Sequence, residues 1–435
     1  MQPDANAASE ASRIVRRFTK RAAHTIALVR PIPIVFVMAL AVRLAGQIVL
    51  GAYVHPETWE YEAIADNILA GHGYSYQSGG VTYLASVSSP AYVLLTALVY
   101  ALTAHSQAAM LVLQALLGAA TASLAAWLVE RAFAGRGALE AGTLVALDPG
   151  LVVYASKLHS LTLDALAFTA VVCAAVLLRA SPTWPRAALT GALVGLGALT
   201  RTTALAFVPL VLFWARRRIG LASALVFVVA AAAAYAPWPT RNSIVLGQFV
   251  PGSSESTEWL WRGTNPAATG SSWTIDGRTM LEVAPADFRA RVAAASEAER
   301  IAIYRDAALQ FVREQPVQTA VLYARKLKAF WWGSESTGIL YPPAWVLVYQ
   351  AWYLGALTLA IVGAWSARRD PTVVLIVLSA LVISAAQAVF YVEGRHRLAI
   401  EPLLLVLSGG GLVALSGLLR LPLVQSDAHG QPARR

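Results

Sequence analysis

Charged residues are scarce in this chain of 435 residues, where Asp, Glu, Lys and Arg make up 13% of the sequence and hydrophobic residues 57%. Soluble domains carry roughly 25% charged residues. The scarcity of charge therefore excludes a soluble globular domain of this size. The long apolar runs that take the place of charged surface predict a protein whose solvent is a lipid bilayer.

Cysteine is almost absent too, because Cys173 is the only one and lies inside an apolar run. A single cysteine excludes an intramolecular disulfide, a CxxC zinc site and an iron–sulfur site. The sequence also lacks the motifs H-E-x-x-H, G-x-S-x-G and G-x-x-x-x-G-K-[ST]. Their absence argues against zinc proteases, serine hydrolases and P-loop nucleotide hydrolases.

Basic residues are the abundant charge, with a formal net charge of +10. They form short clusters between apolar runs rather than one basic face, which favours orientation in a membrane over a nucleic-acid partner. If the short apolar segment 90–103 does not cross, these clusters all fall on the cytoplasmic side. The chain is then predicted to be an all-α polytopic membrane protein with about ten transmembrane helices. The predicted spans lie near 31–54, 106–130, 138–156, 161–179, 186–200, 202–215, 219–238, 343–366, 371–391 and 398–419.

This topology divides the chain into five parts. The topology places two long segments on the outer face of the membrane. The short apolar segment 90–103 lies in the first of them and is predicted to be an outer-face interfacial helix. In the second outer segment, Ser296 and Glu299 have capping-box spacing, and Pro316 begins a helix that ends at 330–332. The predicted parts are a cytoplasmic basic N-terminus (1–30), an N-terminal transmembrane module (31–238) with a first outer loop (55–105), a small outer-face α-rich loop domain (239–342), C-terminal transmembrane helices (343–419) and a cytoplasmic disordered tail (420–435).

Several basic residues break the pattern, because the topology places them at the outer ends of spans. Clustered there, they could bind an anionic head group through charge-assisted hydrogen bonds. For any one of them, snorkelling toward lipid head groups explains the position equally well. The residues are Lys157, His159, Arg201, Arg241, Lys326, Lys328, Arg395, His396 and Arg397.

Acidic residues are concentrated just after the first predicted span. If residues 57–69 are helical, Glu57, Glu60 and Tyr61 share one face. A carboxylate at a surface of low dielectric constant has the raised pKa that suits a general base. An ordinary solvated helix end explains the same pattern. Two other acidic residues lie in or near apolar runs and are assigned structural roles. Asp148 could cap a helix break, and Asp164 could pair with Lys157.

Several segments resemble one family of membrane enzymes. ETWEYEAIADNILAGHGY at 57–74, followed by SPAY at 89–92, resembles the first outer loop of GT-C glycosyltransferases, which include protein O-mannosyltransferases and lipid A aminoarabinose transferases. Further matches follow in the same order and cover most of the chain from about 31 to 419. They are LTR (199–201), APWPTRN (236–242), WRGTNP (261–266), KLKAFW (326–331) and GRHRLAIEP (394–402).

The resemblance implies an integral enzyme of the inner (plasma) membrane whose active site faces the periplasm or exterior. It would transfer a sugar from a polyprenyl-phosphate donor to a cell-envelope lipid, glycan or protein. Glu57 stands where the family usually has its catalytic Asp, and Glu60 is the reserve. The residues implied to bind substrate are Tyr61, Lys157, His159, Arg201, Arg241, Arg395, His396 and Arg397.

The resemblance identifies no certain cofactor. Some relatives use a divalent metal, which stays open here, although the scattered acids form no ligand set. Membrane lipids are the other expected partners, and nucleic acid is not one. The main alternative function is a transporter or flippase of lipids or lipid-linked sugars, but the paired repeats with broken helices that are typical of transporters are not found. A non-enzymatic scaffold would leave the charges at membrane depth unexplained.

Overall fold

A computed structural model describes residues 31–84, 90–333 and 341–419. The predicted N-terminus (1–30) and tail (420–435) lie outside the described residues. The first half contains α1 (Pro31–Val49), β1 (Glu57–Thr58), α2 (Glu60–Leu69), β2 (Tyr76–Ser78), β3 (Val81–Tyr83), α3 (Pro90–Thr103), α4 (Gln107–Ala132), α5 (Ala138–Leu147), α6 (Pro149–Ala155), β4 (Lys157–Leu158), α7 (Leu161–Ala180), α8 (Trp184–Thr200), a 3-10 turn (Thr202–Ala206) and α9 (Phe207–Ala215).

The second half is helical as well. It contains α10 (Leu221–Tyr235), α11 (Pro237–Leu246), α12 (Ser256–Arg262), α13 (Ala286–Ala294), α14 (Glu297–Glu314), α15 (Pro316–Trp332), α16 (Pro343–Ser366), α17 (Pro371–Gln387), a 3-10 helix (Gly394–Ala399) and α18 (Glu401–Leu419). The sheets among the described residues are two short pairs, β1 with β4 and β2 with β3.

The apolar helices make this a multi-pass membrane protein. Within the described ranges, α1, α4, α7 and α16 are each long and apolar enough to cross a membrane. Two bent pairs, α5 with α6 and α10 with α11, raise that number to six if each pair is one span. Shorter apolar helices include α3, α17 and segment Glu401–Gly417. The remaining crossings in the predicted count of ten stay a prediction.

The bend between α5 and α6 has a clear chemical cause at Asp148. Its side chain caps α6 by accepting a hydrogen bond from the Leu151 backbone N–H at 2.9 Å, and Pro149 follows it. Trp352 of α16 donates to the second carboxylate oxygen at 2.9 Å. The two helices meet at 55°. The predicted role of Asp148 as the cap of a helix break is confirmed.

The first loop of the chain and the helices α11–α15 lie against each other, and we call their common side of the bundle the loop side. Glu297 at the start of α14 accepts from the Leu84 backbone N–H, and Arg300 donates to the Tyr83 hydroxyl. The capping box of Ser296 and Glu299 is present as predicted. These contacts tie the β2–β3 hairpin to the larger loop segment, so the two long loops form one surface.

The prediction that residues 57–69 form one helix is wrong at its start. Helix α2 begins at Glu60, and Trp59 before it is extended. Glu57 and Thr58 instead pair in parallel with Lys157 and Leu158. Pairing with a distant segment satisfies the backbone hydrogen-bonding groups that a further helical turn would have used. Glu57 and Glu60 therefore do not share a helix face.

Candidate functional site

Lys157 and Glu57 form an ion pair at the β1–β4 strand pair. The Lys157 Nζ lies 2.7 Å from Glu57 Oε2 and 3.4 Å from the Tyr341 hydroxyl, to which it donates. The rings of Trp59, Tyr154 and Tyr341 surround the ammonium, with centroids 5.6, 5.5 and 5.0 Å away. Such cation–π contacts favour a fixed ammonium group. The Lys157 side chain is 13% exposed and that of Glu57 is 53% exposed, so solvent and ligands can reach the carboxylate.

The predicted pairing of Lys157 with Asp164 is wrong. Asp164, fully buried near the start of α7, instead pairs with Arg201, whose Nε lies 3.0 Å from its Oδ2. Arg201 also donates to the Gln387 side chain at 3.3 Å. Because α6 ends before Lys157 and a short strand follows, Lys157 and Asp164 do not share a helix face. The sequence spacing alone could not reveal that separation.

Arg395 belongs to the 3-10 helix that follows α17. Its guanidinium lies 3.0 Å from Glu393 Oε2, and the Ser272 hydroxyl donates to the same carboxylate. The side chains of Arg395 and Glu393 are 24% and 7% exposed. The buried Glu393 carboxylate, itself held by Ser272 of the outer loop segment 239–342, thus fixes the Arg395 guanidinium in place.

An apolar cavity of about 610 Å³ opens beside Arg395. Its walls come from α1, the α5–α6 bend and α16, and include Val42, Val153 and Val346. One end is polar, where the lining side chains are Tyr154, Trp273, Tyr341, Glu393 and Arg395. Tyr154 and Tyr341 join their hydroxyls at 2.9 Å. Because Tyr341 also binds Lys157, the polar end of the cavity is continuous with the Lys157–Glu57 pair.

Glu60 occupies a different environment from Glu57. Burial raises its pKa above the usual range, against the opposing charges of Arg395 and Arg262. The charge of Glu60 acts in turn on Glu255, which lies in the outer loop segment 239–342. Burial and the charge of Glu258 raise the pKa of Glu255 to about 8. A carboxylate with a raised pKa suits proton transfer. Glu60 therefore remains a candidate for the base because of its pKa, whereas Glu57 remains one because its carboxylate is exposed beside Lys157.

Two of the basic residues singled out from the sequence do not line the cavity. Arg241 donates to the Tyr74 backbone carbonyl at 3.2 Å and to that of Leu84, which ties the first loop to α11. Arg397 is 2% exposed and donates to the Phe330 carbonyl at 2.7 Å and the Tyr349 hydroxyl at 2.9 Å. Both arginines join neighbouring segments, and neither lines the apolar cavity.

The remaining predicted residues are Tyr61, His159 and His396. Tyr61 is buried, with its hydroxyl 3.5 Å from the Ser160 hydroxyl. Its ring meets that of His159 at 5.4 Å. His159 and His396 both lie within the electrostatic influence of Arg201 and Arg395. The structure therefore brings together residues from the first loop, from the turn before α7 and from the 3-10 helix before α18.

Sequence reasoning missed Tyr154 and Tyr341. Each lies near a predicted outer end of a span or in the long loop, and a polar aromatic side chain at such a position was the available signal. As for metals, the described part of the chain contains no group of three or more His, Cys, Asp or Glu residues that could hold an ion.

Comparison with known proteins finds relatives only among solved structures, since no protein-family model and no curated protein matches the chain. The apo oligosaccharyltransferase of Archaeoglobus fulgidus aligns with a TM-score of 0.52 at 14% identity, over 90% of this chain and 51% of that one. The oligosaccharyltransferase AglB from the same organism, in complex with an inhibitory peptide and a dolichol-phosphate, gives 0.52 at 13% identity, over 91% and 52%.

ArnT of Cupriavidus metallidurans, bound to undecaprenyl phosphate, aligns with a TM-score of 0.43 at 15% identity, over 88% of this chain and 78% of that one. This chain spans about half the length of the oligosaccharyltransferases it matches. The similarity to them shows a shared fold, and that fold is the GT-C fold of membrane glycosyltransferases.

Proposed function

We propose that the protein is a membrane glycosyltransferase that takes one sugar from a polyprenyl-phosphate donor. The acceptor would be a cell-envelope lipid, glycan or protein, and the loop side would be the outer face of the plasma membrane. The observation that carries the proposal is the apolar cavity, whose polar end brings Arg395 and Tyr341 next to the Lys157–Glu57 pair. The apolar cavity suits the hydrocarbon chain of such a ligand, and the cations and the carboxylate at its polar end suit a phosphate and a reacting sugar.

The GT-C fold supports this proposal, because the related AglB structure contains a dolichol-phosphate. In this chain the polyprenyl tail would lie along the cavity walls of α1 and α16. The phosphate would lie at Arg395 and Lys157, where charge-assisted hydrogen bonds bind phosphoryl oxygens. Trp273 at the same end would then face the transferred sugar.

The proposed reaction is an inverting displacement at the anomeric carbon. Glu57 takes the proton from the acceptor hydroxyl, the acceptor oxygen forms a bond to the anomeric carbon, and the bond from that carbon to the phosphate oxygen breaks. The polyprenyl phosphate leaves with one more negative charge than it had in the donor. Arg395 and Lys157 stabilise that added charge.

The ion pair of Glu57 with Lys157 has a consequence for the order of binding. A donor phosphate at the polar end would compete with the Glu57 carboxylate for the Lys157 ammonium. Drawing Lys157 toward the phosphate frees Glu57 to accept a proton. We therefore expect the donor to bind before the acceptor, so that initial-rate kinetics show an ordered mechanism. Random binding of the two substrates would contradict this prediction without affecting the proposed activity.

The decisive experiment uses purified protein in liposomes with undecaprenyl-phosphate-linked [¹⁴C]mannose or glucose. We expect the wild type to release the sugar from its carrier and pass it to an acceptor in the organism's own membrane extract, whereas the Glu57→Gln variant does not. Movement of the intact donor across the liposome membrane without any release of sugar would support the transporter alternative instead and would overturn the proposal.

Filling the apolar cavity should distinguish long donors from short ones. Val346 lines the cavity, whereas its neighbour Leu347 does not line it and is 66% exposed. We expect Val346→Trp to raise KM for undecaprenyl donors by about tenfold or more, as a loss of roughly 1.5–3 kcal/mol of apolar contact predicts. Farnesyl-linked donors should be affected less. Leu347→Trp is the matched control, and equal effects of the two variants on long donors would show that the tail binds elsewhere.

A further inference from the structure

Two glutamines are buried in the apolar helices α1 and α4. Gln47 of α1 and Gln114 of α4 are each 0% exposed. A buried amide is normally paired, because leaving a polar group unpaired in apolar surroundings is costly. Both side chains donate from Nε2 to one segment of main chain, residues 155–157, where α6 ends and β4 begins. We call Gln47 and Gln114 the glutamine pair.

The glutamine pair satisfies the main chain at the end of α6. A helix ends with carbonyl groups that have no partner within the helix. Gln47 Nε2 donates to the Ala155 carbonyl and to the Leu111 carbonyl, each at 2.8 Å. Gln114 Nε2 donates to the Lys157 carbonyl at 2.8 Å and to that of Ala155 at 3.4 Å. Side chains of two other helices therefore fix the main chain that leads into Lys157.

Tyr92 of α3 sets the orientation of the Gln114 amide. Its hydroxyl donates to Gln114 Oε1 at 3.0 Å, and Tyr92 is 1% exposed. Because the amide oxygen accepts from Tyr92, the amide N–H groups face the two carbonyls. The opposite orientation would bring the amide oxygen against two carbonyl oxygens. A chain of hydrogen bonds thus runs from α3 through α4 to the main chain of Lys157.

The short strand that carries Lys157 needs this support. β4 has two residues and pairs with the two residues of β1, Glu57 and Thr58, which are both exposed. So short a pair is not stable by itself. On its buried side the strand is held by Gln114 through the Lys157 carbonyl. The Lys157 ammonium lies 2.7 Å from Glu57, so the position of this main chain decides whether the two charges meet.

We propose that Gln114 is a positioning residue for sugar transfer, which holds the Lys157 ammonium at the Glu57 carboxylate. This inference rests on the proposed function for the reaction in which that ion pair takes part. Gln114 is fully buried and does not line the cavity, so it acts through Lys157. Tyr92 and Gln47 support it in this role. A displacement of about 1 Å at a reacting group lowers a rate by as much as about 10²-fold.

Replacing Gln114 with Met tests this role, because methionine keeps the length of the side chain without its N–H groups. In transfer from undecaprenyl-phospho-mannose, we expect Gln114→Met to lower kcat by about 10–100-fold and to keep KM for the donor within about threefold. Thr121→Val is the matched control. It removes another buried hydrogen bond of α4, from the Thr121 hydroxyl to the Leu117 carbonyl at 2.9 Å, and should leave kcat unchanged.

A second measurement separates positioning from a general structural role. If Gln114 acts through the Lys157 ammonium, removing the ammonium first leaves Gln114→Met little to change. We therefore expect kcat of the double variant Lys157→Met/Gln114→Met to lie within about threefold of that of Lys157→Met alone. Tyr92→Phe keeps the ring and loses the hydroxyl that orients the amide. It should lower kcat by about three- to tenfold, the effect of one hydrogen bond, with less risk to folding.

Two results would overturn the assignment. A wild-type kcat in folded Gln114→Met protein, or in Tyr92→Phe protein if Gln114→Met does not fold, would remove Gln114 from the mechanism and leave the proposed function intact. Equal losses from Gln114→Met with and without the Lys157 ammonium would show a general structural role instead. If the wild type transfers no sugar at all, the proposed function fails, and this inference fails with it.

Discussion

Replacing Glu57 with Gln is expected to lower kcat for sugar transfer by about 10²–10⁴-fold, the usual contribution of a general base. The amide keeps the size of the side chain but cannot take the proton from the acceptor hydroxyl. Because the Glu57 side chain is 53% exposed, losing its ion pair with Lys157 should change stability by no more than about 1 kcal/mol. Single-turnover transfer from undecaprenyl-phospho-mannose, with thermal unfolding measured in parallel, checks both parts of this expectation.

The matched control is Glu140→Gln, which changes an exposed glutamate in the first turn of α5. It should leave transfer unchanged.

Glu60 is the competing candidate for the base, and the Glu60→Gln variant distinguishes it from Glu57. If Glu60→Gln abolishes transfer while Glu57→Gln does not, Glu60 is the base. A base works only when deprotonated, and burial raises the pKa of Glu60. The acid limb of kcat in the wild type would then lie above the ordinary glutamate pKa of about 4.3.

Replacing Arg395 with Met is expected to raise KM for the donor by roughly 30-fold or more, because losing one partner of a buried charged contact costs about 2–5 kcal/mol. The same change should lower kcat, since Arg395 would also stabilise the departing phosphate. Arg395→Lys keeps the charge but loses the planar fork of donors, so it should recover only part of the loss. Steady-state kinetics with donor concentration varied at saturating acceptor separate the two effects.

Stability must be measured alongside this variant, because Glu393 is 7% exposed and would lose its cation. Arg305→Met is the control, since Arg305 forms an exposed ion pair with its neighbour Asp306 at 2.8 Å. If folded Arg395→Met protein keeps the wild-type KM for the donor, the phosphate binds elsewhere. The cavity would then not be the donor site.

Local sequence predicted the helices well because the signals for them are local. Each of the ten apolar segments coincides with helix in the structure, and the bounds of α15 are those predicted from Pro316 onward. Helix formation in a membrane follows from composition over about 20 residues, which one stretch of sequence contains completely. The cap at Asp148 and the capping box at Ser296 are local in the same sense.

The sequence predicted the candidate site only as a set of residues that the topology assigns to one face of the membrane. The partner of Lys157 turned out to be Glu57, a hundred positions earlier, and that pairing also moved the start of α2 to Glu60. No spacing rule relates two segments so far apart. Their contact depends on how α1, α6 and α7 pack, which brings the turn after α6 against the first loop.

By itself, the sequence determined that this is a membrane protein and where its apolar helices lie. It also determined at which ends of those helices the basic and acidic residues gather. Only the tertiary structure decided which of those residues meet. It placed Arg395 at the apolar cavity and directed Arg241 and Arg397 into contacts between segments. The physical reason is that charge and hydropathy act on a chain segment as a whole, whereas the direction of one side chain is set by its packed neighbours.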